Sequence, residues 1–570
     1  MKKYIFTAFA AAALLSSCVN LDLSPRSQGS SENWYSTAQE LEVSLNALYS
    51  PTMWYTEAWR LWATDRWTDD WNQRTQTYDW LGGTISTTWG EGAKHWAAYY
   101  KGIARANTII QSIDNAKDNL SEAQITQYVG EAKFFRASFY TYLITLFGDV
   151  PYYDEYITLD DAYKMGRIDR NYILEKIYQD FDDAAAALPV SYTKAQRATK
   201  GAALAMKARA ALFMNDWKTC SDAAKACMDL GVYSLHKDYR ELFLSKTKTS
   251  PEFIFVLPAS NELGIHSYDE AATRSFYPRN NGGTSVAQPT WQLFFAYTCT
   301  DGKNVEDSPL YDPAHPFANR DPRLSELIVP FDSEFMDYIY NPRPSATQTL
   351  QVSTGKMVKN NDTKPVSKDC SYNGLVLKKG IDEEWIDDRL TDTPMRIIRY
   401  ADVLLMYAES KMELGEIDAD LFNAVNSIRA RAYKCGVGET TKYPAITETN
   451  QTALRKILRN ERRCELAWEN RRWFDVMRWR MAEECFTMPI YGLPGNEQSA
   501  KNEATGYWPW PKDFRPHMTA SSAINIADIE NYPEYFTINQ RGAFVPREYL
   551  FPIPENERVV CPNLTQNPGY

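Results

Sequence analysis

The stretch Glu131–Phe147 constrains the fold more than any other. Phe135, Phe139, Tyr142 and Leu146 recur there at spacings of four, three and four, and the run stops at Gly148 and Pro151. That spacing predicts one apolar stripe on an α-helix. A second helical pattern covers about 199 to 214, rich in Ala, with Leu204, Ala208 and Leu212 on its stripe. After the turn Asn215-Asp216-Trp217, a third runs from Thr219 to Leu230 and closes at Gly231. Small residues at contacts let helix axes approach closely, so each helix pair needs neighbours to bury its stripe. Helical patterns return at 399–414, 419–433 and 451–482. Between them the texture changes. Glu252–Leu257 is a short β-like run ending at Pro258, and 259–390 is rich in Gly, Asn, Pro and Asp, as is 486–570. The expected fold is therefore mainly α: a scaffold of helical pairs with a large loop-rich, irregular portion and a few short strands. Loop masses on such a frame are where binding residues sit.

The first residues read as an export signal. Lys2 and Lys3 precede the twelve-residue apolar stretch Tyr4–Leu15, too short to span a bilayer core, which takes about 20 residues. Leu15-Ser16-Ser17-Cys18 resembles a bacterial lipobox, which implies a signal peptide over 1–17, lipidation of Cys18 and a polar tether over 18–33. Val19-Asn20 lacks the Asp that retains lipoproteins at the inner membrane in enteric bacteria, so outer-membrane placement is the expectation by analogy. The remainder, 34–570, reads as one domain, with 34–250 and 391–482 as helical scaffold and 251–390 and 483–570 loop-rich. The 570 residues carry 62 Lys+Arg against 73 Asp+Glu, a formal charge of −11, which argues against a nucleic-acid partner.

Helix–short turn–helix pairs with small contact residues resemble tetratricopeptide units, with weak periodicity. Longer blocks then match a family. They are GEAKFFRASFYTYLITLFGDVPYY (130–153), ATKGAALAMKARAALFMNDW (198–217), RYADVLLMYAES (399–410), NERRCELAWENRRWFDVMRW (460–479) and FPIPENERVVCPNLTQNPGY (551–570). Together with the lipobox they resemble the SusD/RagB family of Bacteroidetes outer-membrane lipoproteins, in the family's order and over nearly the whole chain. The resemblance implies a cell-surface, lipid-anchored protein that binds a nutrient, usually a glycan, and caps a SusC-like TonB-dependent transporter. It implies no enzyme activity and no cofactor. Capture of peptides or glycoproteins by the same architecture is the alternative. A glycoside hydrolase on a helical scaffold is a weaker one, because it needs two carboxylates roughly 5–10 Å apart.

The matching blocks also have a physical reading. Glu461, Arg462, Arg463, Glu465, Glu469, Arg471, Arg472 and Asp475 form a dense mixed-charge helix, in which Glu469–Arg472 and Asp475–Arg478 can meet at i,i+3. Opposite charges keep such carboxylates ionised, so this is an ion-pair network rather than an acid–base site. Arg399, Asp402 and Glu409 are expected to tie helices together. Cys220 and Cys227 read as apolar packing positions. The acidic run Asp382–Asp388 lacks the spacing of a calcium loop and leaves the metal question open.

Binding candidates come from the aromatic residues. Eight of the 17 Trp fall between 54 and 100, far more than an even spread would place there. Trp54, Trp59 and Trp62 read as core, as do Trp96, Tyr99, Ile103 and Asn107. Between them, Trp67, Trp71, Tyr78 and Trp80 are interleaved with Asp65, Asp69, Asp70, Asn72, Gln73, Arg74 and Gln76. Rigid aromatic area beside polar groups is what a sugar ring requires. A loose likeness to a family loop puts Trp71 near a ring-stacking position and Arg74 near a polar contact. A second region, Tyr268–Trp291, adds Tyr277. The expected ligand set is Trp71, Arg74, Trp67, Tyr78, Trp80 and Tyr277. Packing of this loop onto the body is the competing reading.

Overall fold

The computed structural model describes residues 34–56, 64–74, 82–193, 196–385, 389–526, 535–539 and 541–570. Cys18, Trp59, Trp62, Tyr78 and Trp80 lie outside them. The principal helices are α1 (Ala38–Asn46), α2 (Gly90–Ser112), α3 (Glu122–Phe147), α4 (Arg170–Ala187), α5 (Lys200–Phe213), α6 (Trp217–Asp229), α7 (Tyr400–Glu413), α8 (Ala419–Ala432), α9 (Gln451–Glu465), α10 (Arg472–Arg478) and α11 (Glu555–Val560). The strands that matter here are β1 (Trp71–Gln73), β2 (Phe253–Leu257), β3 (Ala287–Pro289), β4 (Ser333–Phe335), β5 (Tyr338–Tyr340), β6 (Gln348–Gln351), β7 (Lys356–Lys359) and β8 (Met395–Arg399). No helix among the described residues is long and apolar enough to cross a membrane.

α3 is the centre of the helical frame. It starts at a reciprocal cap, Ser121 with Gln124, and stops at Gly148, whose φ of 75° ends the helix. Phe135, Phe139, Tyr142 and Leu146 are all fully buried, as their spacing predicts. Each contributes about 1.5–3 kcal/mol of burial. Successive helices α2 to α6 pack on one another in order, and α7 then packs on α6. α3 and α4 approach so closely at Gly130 that a Cβ there would lie 2.5 Å from the Cβ of Ala187. The same pair is tied by Arg136, which donates to both oxygens of Asp180 at 2.7 and 2.8 Å. The C-terminal block straps this end of the frame. The Phe551 amide donates to Leu146 O at 2.7 Å, and Asn567 Nδ2 to Phe147 O at 2.9 Å. Cys220 and Cys227 are buried packing residues.

The loop-rich half has its own core. Phe276, Trp291, Phe294, Phe295, Trp385 and Trp510 are buried together there, away from the helical core. β4 to β7 form an antiparallel four-stranded meander, more sheet than the composition of 259–390 suggests. β2 pairs antiparallel with β8, which delivers Arg399 to the boundary between the halves.

That boundary is a buried ion-pair network. Arg399 holds Glu252, Glu465 and Glu469; Arg323 holds Asp321, Glu461 and Glu465. Asp402 pairs with Arg209 and Arg462, and Glu409 with Arg478. Burial alone would raise the carboxyls, but Arg431, Arg399 and Arg323 hold Glu465 down at about 2, and Arg462 and Arg209 do the same for Asp402. One expectation is corrected. The helical run 451–482 is broken at 466–471, where Trp468 and Asn470 take φ of 61° and 59°. Glu469 turns to Arg399 and Lys379, so its i,i+3 pair with Arg472 is replaced; Asp475–Arg478 forms at 2.9 Å.

Candidate functional site

The two aromatic regions singled out in the sequence meet edge to edge. β1 pairs antiparallel with β3 in the register Trp71↔Pro289, Asn72↔Gln288 and Gln73↔Ala287. The Arg74 amide extends the ladder to Val286 O at 2.9 Å, and Asn72 Nδ2 donates to Gln288 Oε1 at 3.2 Å. The segment leading into β1 is shaped locally by Thr68, whose hydroxyl donates to Asp65 O and accepts from the Asp70 amide. It is then anchored to the frame by charge. Arg463 bonds both Asp69 and Asp70, and Arg472 bonds both oxygens of Asp69. Burial opposes ionisation of Asp69, yet Arg463 and Arg472 hold it at about 2. Asp65 differs. Burial pushes it up to about 7, against the Asn470 amide that bonds it and with the nearby Asp70 charge adding to the rise.

This anchoring overturns three of the six candidate contacts. Trp71 is 1% exposed, stacked on Trp468 at 4.3 Å and edge-on to Phe276 at 6.2 Å. Trp67 is 1% exposed among Trp89, Trp473 and Phe551. Tyr277 is fully buried, its hydroxyl donating to Asp382 O at 3.3 Å. None offers a free face, because the loop packs inward onto both cores. Arg74 is also corrected from contact to clamp. Its side chain is 9% exposed and donates to the carbonyls of Thr284 and Asp369. Tyr78 and Trp80 fall in 75–81, outside the described residues.

What the clamp gathers is a rim. The turn Pro278–Gly283 is held by Asp362, whose carboxylate accepts the Arg279 and Asn280 amides at 2.6 and 3.3 Å. Burial lifts Asp362 to about 6 despite those bonds. Gly283 is required there, since a Cβ would sit 2.1 Å from Tyr277 O. Asn280 Oδ1 accepts from the Asn361 amide at 2.9 Å. Arg74, which bonds Thr284 O just past this turn, also stands 5.6 Å from the ring centre of half-buried Tyr372, and the Lys364 ammonium lies 5.3 Å from the same ring centre. Asp369 bonds Arg74 and keeps half its side chain exposed. The rim thus presents an aromatic ring, amides, an ammonium and a carboxylate within one small area, the mixture that binds hydroxylated rings. Tyr372 and Lys364 had no sequence signal: they sit in aperiodic chain about 300 residues from β1. Among the described residues no cluster of three His, Cys, Asp or Glu side chains is arranged to hold a metal.

Comparison with known proteins agrees with this architecture. The model of the SusD family matches residues 251–570, and a second, described as starch-binding associating with outer membrane, matches 21–212. The chain belongs to the SusD family. A SusD-like protein of Formosa agariphila is 24% identical over 518 residues, covering 85% of this chain and 92% of that protein. The crystal structure of a SusD-like carbohydrate-binding protein from Bacteroides fragilis superposes with a TM-score of 0.76 at 26% identity, covering 93% of this chain and 99% of that one. A laminarin-binding SusD-like protein shares the fold, with a TM-score of 0.59 at 20% identity, over 94% of this chain and all of that one.

Proposed function

We propose that this protein captures a glycan at the cell surface and passes it, uncleaved, to a SusC-like TonB-dependent transporter, while a lipid on Cys18 anchors it in the outer membrane. The observation that carries the binding face is the β1–β3 junction, which brings Arg74 and the 278–283 turn up to Tyr372, Lys364 and Asp369. Tyr372 supplies the ring, and Asn280, Asn361, Lys364 and Asp369 address hydroxyls. Tyr78 and Trp80 follow Arg74 by four and six residues and are proposed as further stacking partners. Family membership and the carbohydrate-binding Bacteroides fragilis relative support the ligand class. The burial of Asp65, Asp69 and Asp70 supports binding without cleavage: these carboxylates are covered, and Asp69 and Asp70 are engaged by arginine, so they cannot reach a glycosidic bond. The test is affinity electrophoresis of the soluble ectodomain against a panel of neutral polysaccharides, with product analysis. Retardation by at least one glycan without shortened products is expected. Retardation by none, or appearance of oligosaccharide products, overturns the reading.

A further inference from the structure

The helical frame carries a groove that the rim does not use. Tyr400, Leu404 and Tyr407 stand four and three apart on α7 and so share one face. α7 packs against α6 on one side and α8 on the other, which makes that face a floor between two helices. The walls are Lys225 and Met228 of α6 and Asp420, Asn423 and Ser427 of α8, again at helical spacing. The hollow they line has a volume of about 490 Å³. At Tyr233 it continues into a second hollow of about 270 Å³, bounded by Tyr192, Thr199 and residues 249–256. Clefts between helices and the concave sides of stacked helix pairs are where such frames take ligands.

Three observations choose the occupant. First, the groove holds two half-buried rings in fixed positions. Tyr233 and Tyr400 lie 6.4 Å apart between ring centres, with 30° between their planes. The Tyr233 hydroxyl shares a hydrogen bond of 3.0 Å with the Thr199 hydroxyl, and only a glycine at 201 leaves room for that ring against α5. The Tyr400 amide donates to Glu252 O at 2.8 Å. Rigid rings offer contact area at little entropy cost. Second, the polar groups of the wall are mostly hydroxyls. Those of Tyr400 and Tyr407 make no hydrogen bond among the described residues. Two carboxamides, Asn423 and Gln196, join them, and Gln196 is already bonded to Lys248 O. Hydroxyls that both donate and accept match sugar hydroxyls; an extended peptide calls for a row of amide partners. Third, the charges of the lining nearly cancel within the protein. Lys225 pairs with Asp229 and Arg197 with Glu131, which leaves Asp420 as the lining charge without an ion pair among the described residues. A neutral ligand fits that balance.

We propose that the groove between α6, α7 and α8 is a second glycan site, which takes a neutral saccharide segment and shares no residue with the rim. The proposal rests on the glycan reading above. Two sites on one chain would hold a long polysaccharide at both points and gain affinity from the linkage alone. The test titrates the full chain, in detergent, with the hexasaccharide of whichever panel polysaccharide retards it (maltohexaose for starch, laminarihexaose for laminarin). Two hexasaccharides bound per chain are expected. Tyr400→Ala removes a ring, and Asn423→Arg, at an exposed position of α8, blocks the groove without entering the core. Each variant is expected to leave one hexasaccharide bound per chain and to lower affinity for the intact polysaccharide about tenfold or more, at an unchanged melting temperature for Asn423→Arg. A tryptic digest of casein forms the peptide arm. Peptide binding that Asn423→Arg abolishes, with no second saccharide bound to the parent, overturns the sugar assignment. One hexasaccharide per chain in the parent and both variants, or two in all three, overturns the groove and leaves the glycan reading standing. Retardation by no polysaccharide overturns both.

Discussion

The two halves of this molecule are held by different forces. The helical frame is built largely from neighbours in sequence: α2 to α6 pack in chain order, and Phe139 of α3 packs on Tyr99 of α2. The loop-rich half is built from distant partners. Trp71 rests on Trp468, Asn72 on Gln288 and Asp69 on Arg463, each across hundreds of residues. Apolar stripes are forgiving, because burial is non-directional. Buried charge is not, because removing one partner leaves the other without water or counter-charge. The frame is therefore expected to tolerate volume-conserving substitutions better than the boundary arginines do, and the proposed rim inherits its position from Arg463 and Arg472.

The largest expected effect breaks that boundary. Arg463→Met leaves Asp69 and Asp70 buried with Arg472 as the remaining guanidinium bonded to Asp69, and is expected to cost about 3–5 kcal/mol. Ile103→Val, which trims the frame by one methylene, is expected to cost about 0.5–1.5 kcal/mol. Chemical denaturation of both variants tests the contrast. Equal losses would show that the two halves are stabilised alike.

Much of the frame was legible in sequence for the same reason that it is robust. The stripe of α3, its Gly148 stop and the helices near 200–230 and 400–432 follow from period and punctuation within one segment. The mixed-charge stretch was legible as an ion-pair network, though its break at 466–471 was not, because the pull on Glu469 comes from Arg399 and Lys379. At the site, the two regions that meet were legible and the side chains that face outward were not. Trp71 beside Asp and Asn reads as exposed until Trp468 covers it. Tyr372 lies in chain without periodicity, and its place depends on Arg74 reaching the Asp369 carbonyl. Composition locates a cluster of aromatics; only the long-range ladder decides which way each one points.

The acid–base behaviour sharpens the comparison next. Asp69, Asp402 and Glu465 sit at about 2, below their unfolded values near 4, so their contribution is complete above about pH 5 and is lost as pH falls toward 2. Asp65 runs the other way. With its folded pKa at about 7, the folded state holds a proton that the unfolded chain has released, so stability falls as pH rises from about 4 to about 7. Asp65→Asn keeps the shape, removes the titration and is expected to flatten the stability profile in that window. An unchanged slope between pH 4 and 7 would mean that Asp65 is ionised in the folded protein.

A last pair of variants separates holding the rim from being the rim. Tyr372 is half-buried, bordered by Arg74 and Lys364, and lies outside both ladders that join the halves. Tyr372→Ala is therefore expected to weaken glycan binding about tenfold, which is about 1.4 kcal/mol, with little change in melting temperature. Trp71→Ala is expected to do the reverse in order: a loss of about 3–5 kcal/mol in stability first, with weaker binding following only from the displaced rim. Calorimetric titration of both variants below their unfolding temperatures distinguishes the roles. If Trp71→Ala loses affinity while folded with full stability, its ring turns outward to meet the sugar and the inward packing on Trp468 is not the binding state. If Tyr372→Ala binds as tightly as the parent, the rim is not the platform, and the stacking surface must come from the segment that carries Tyr78 and Trp80.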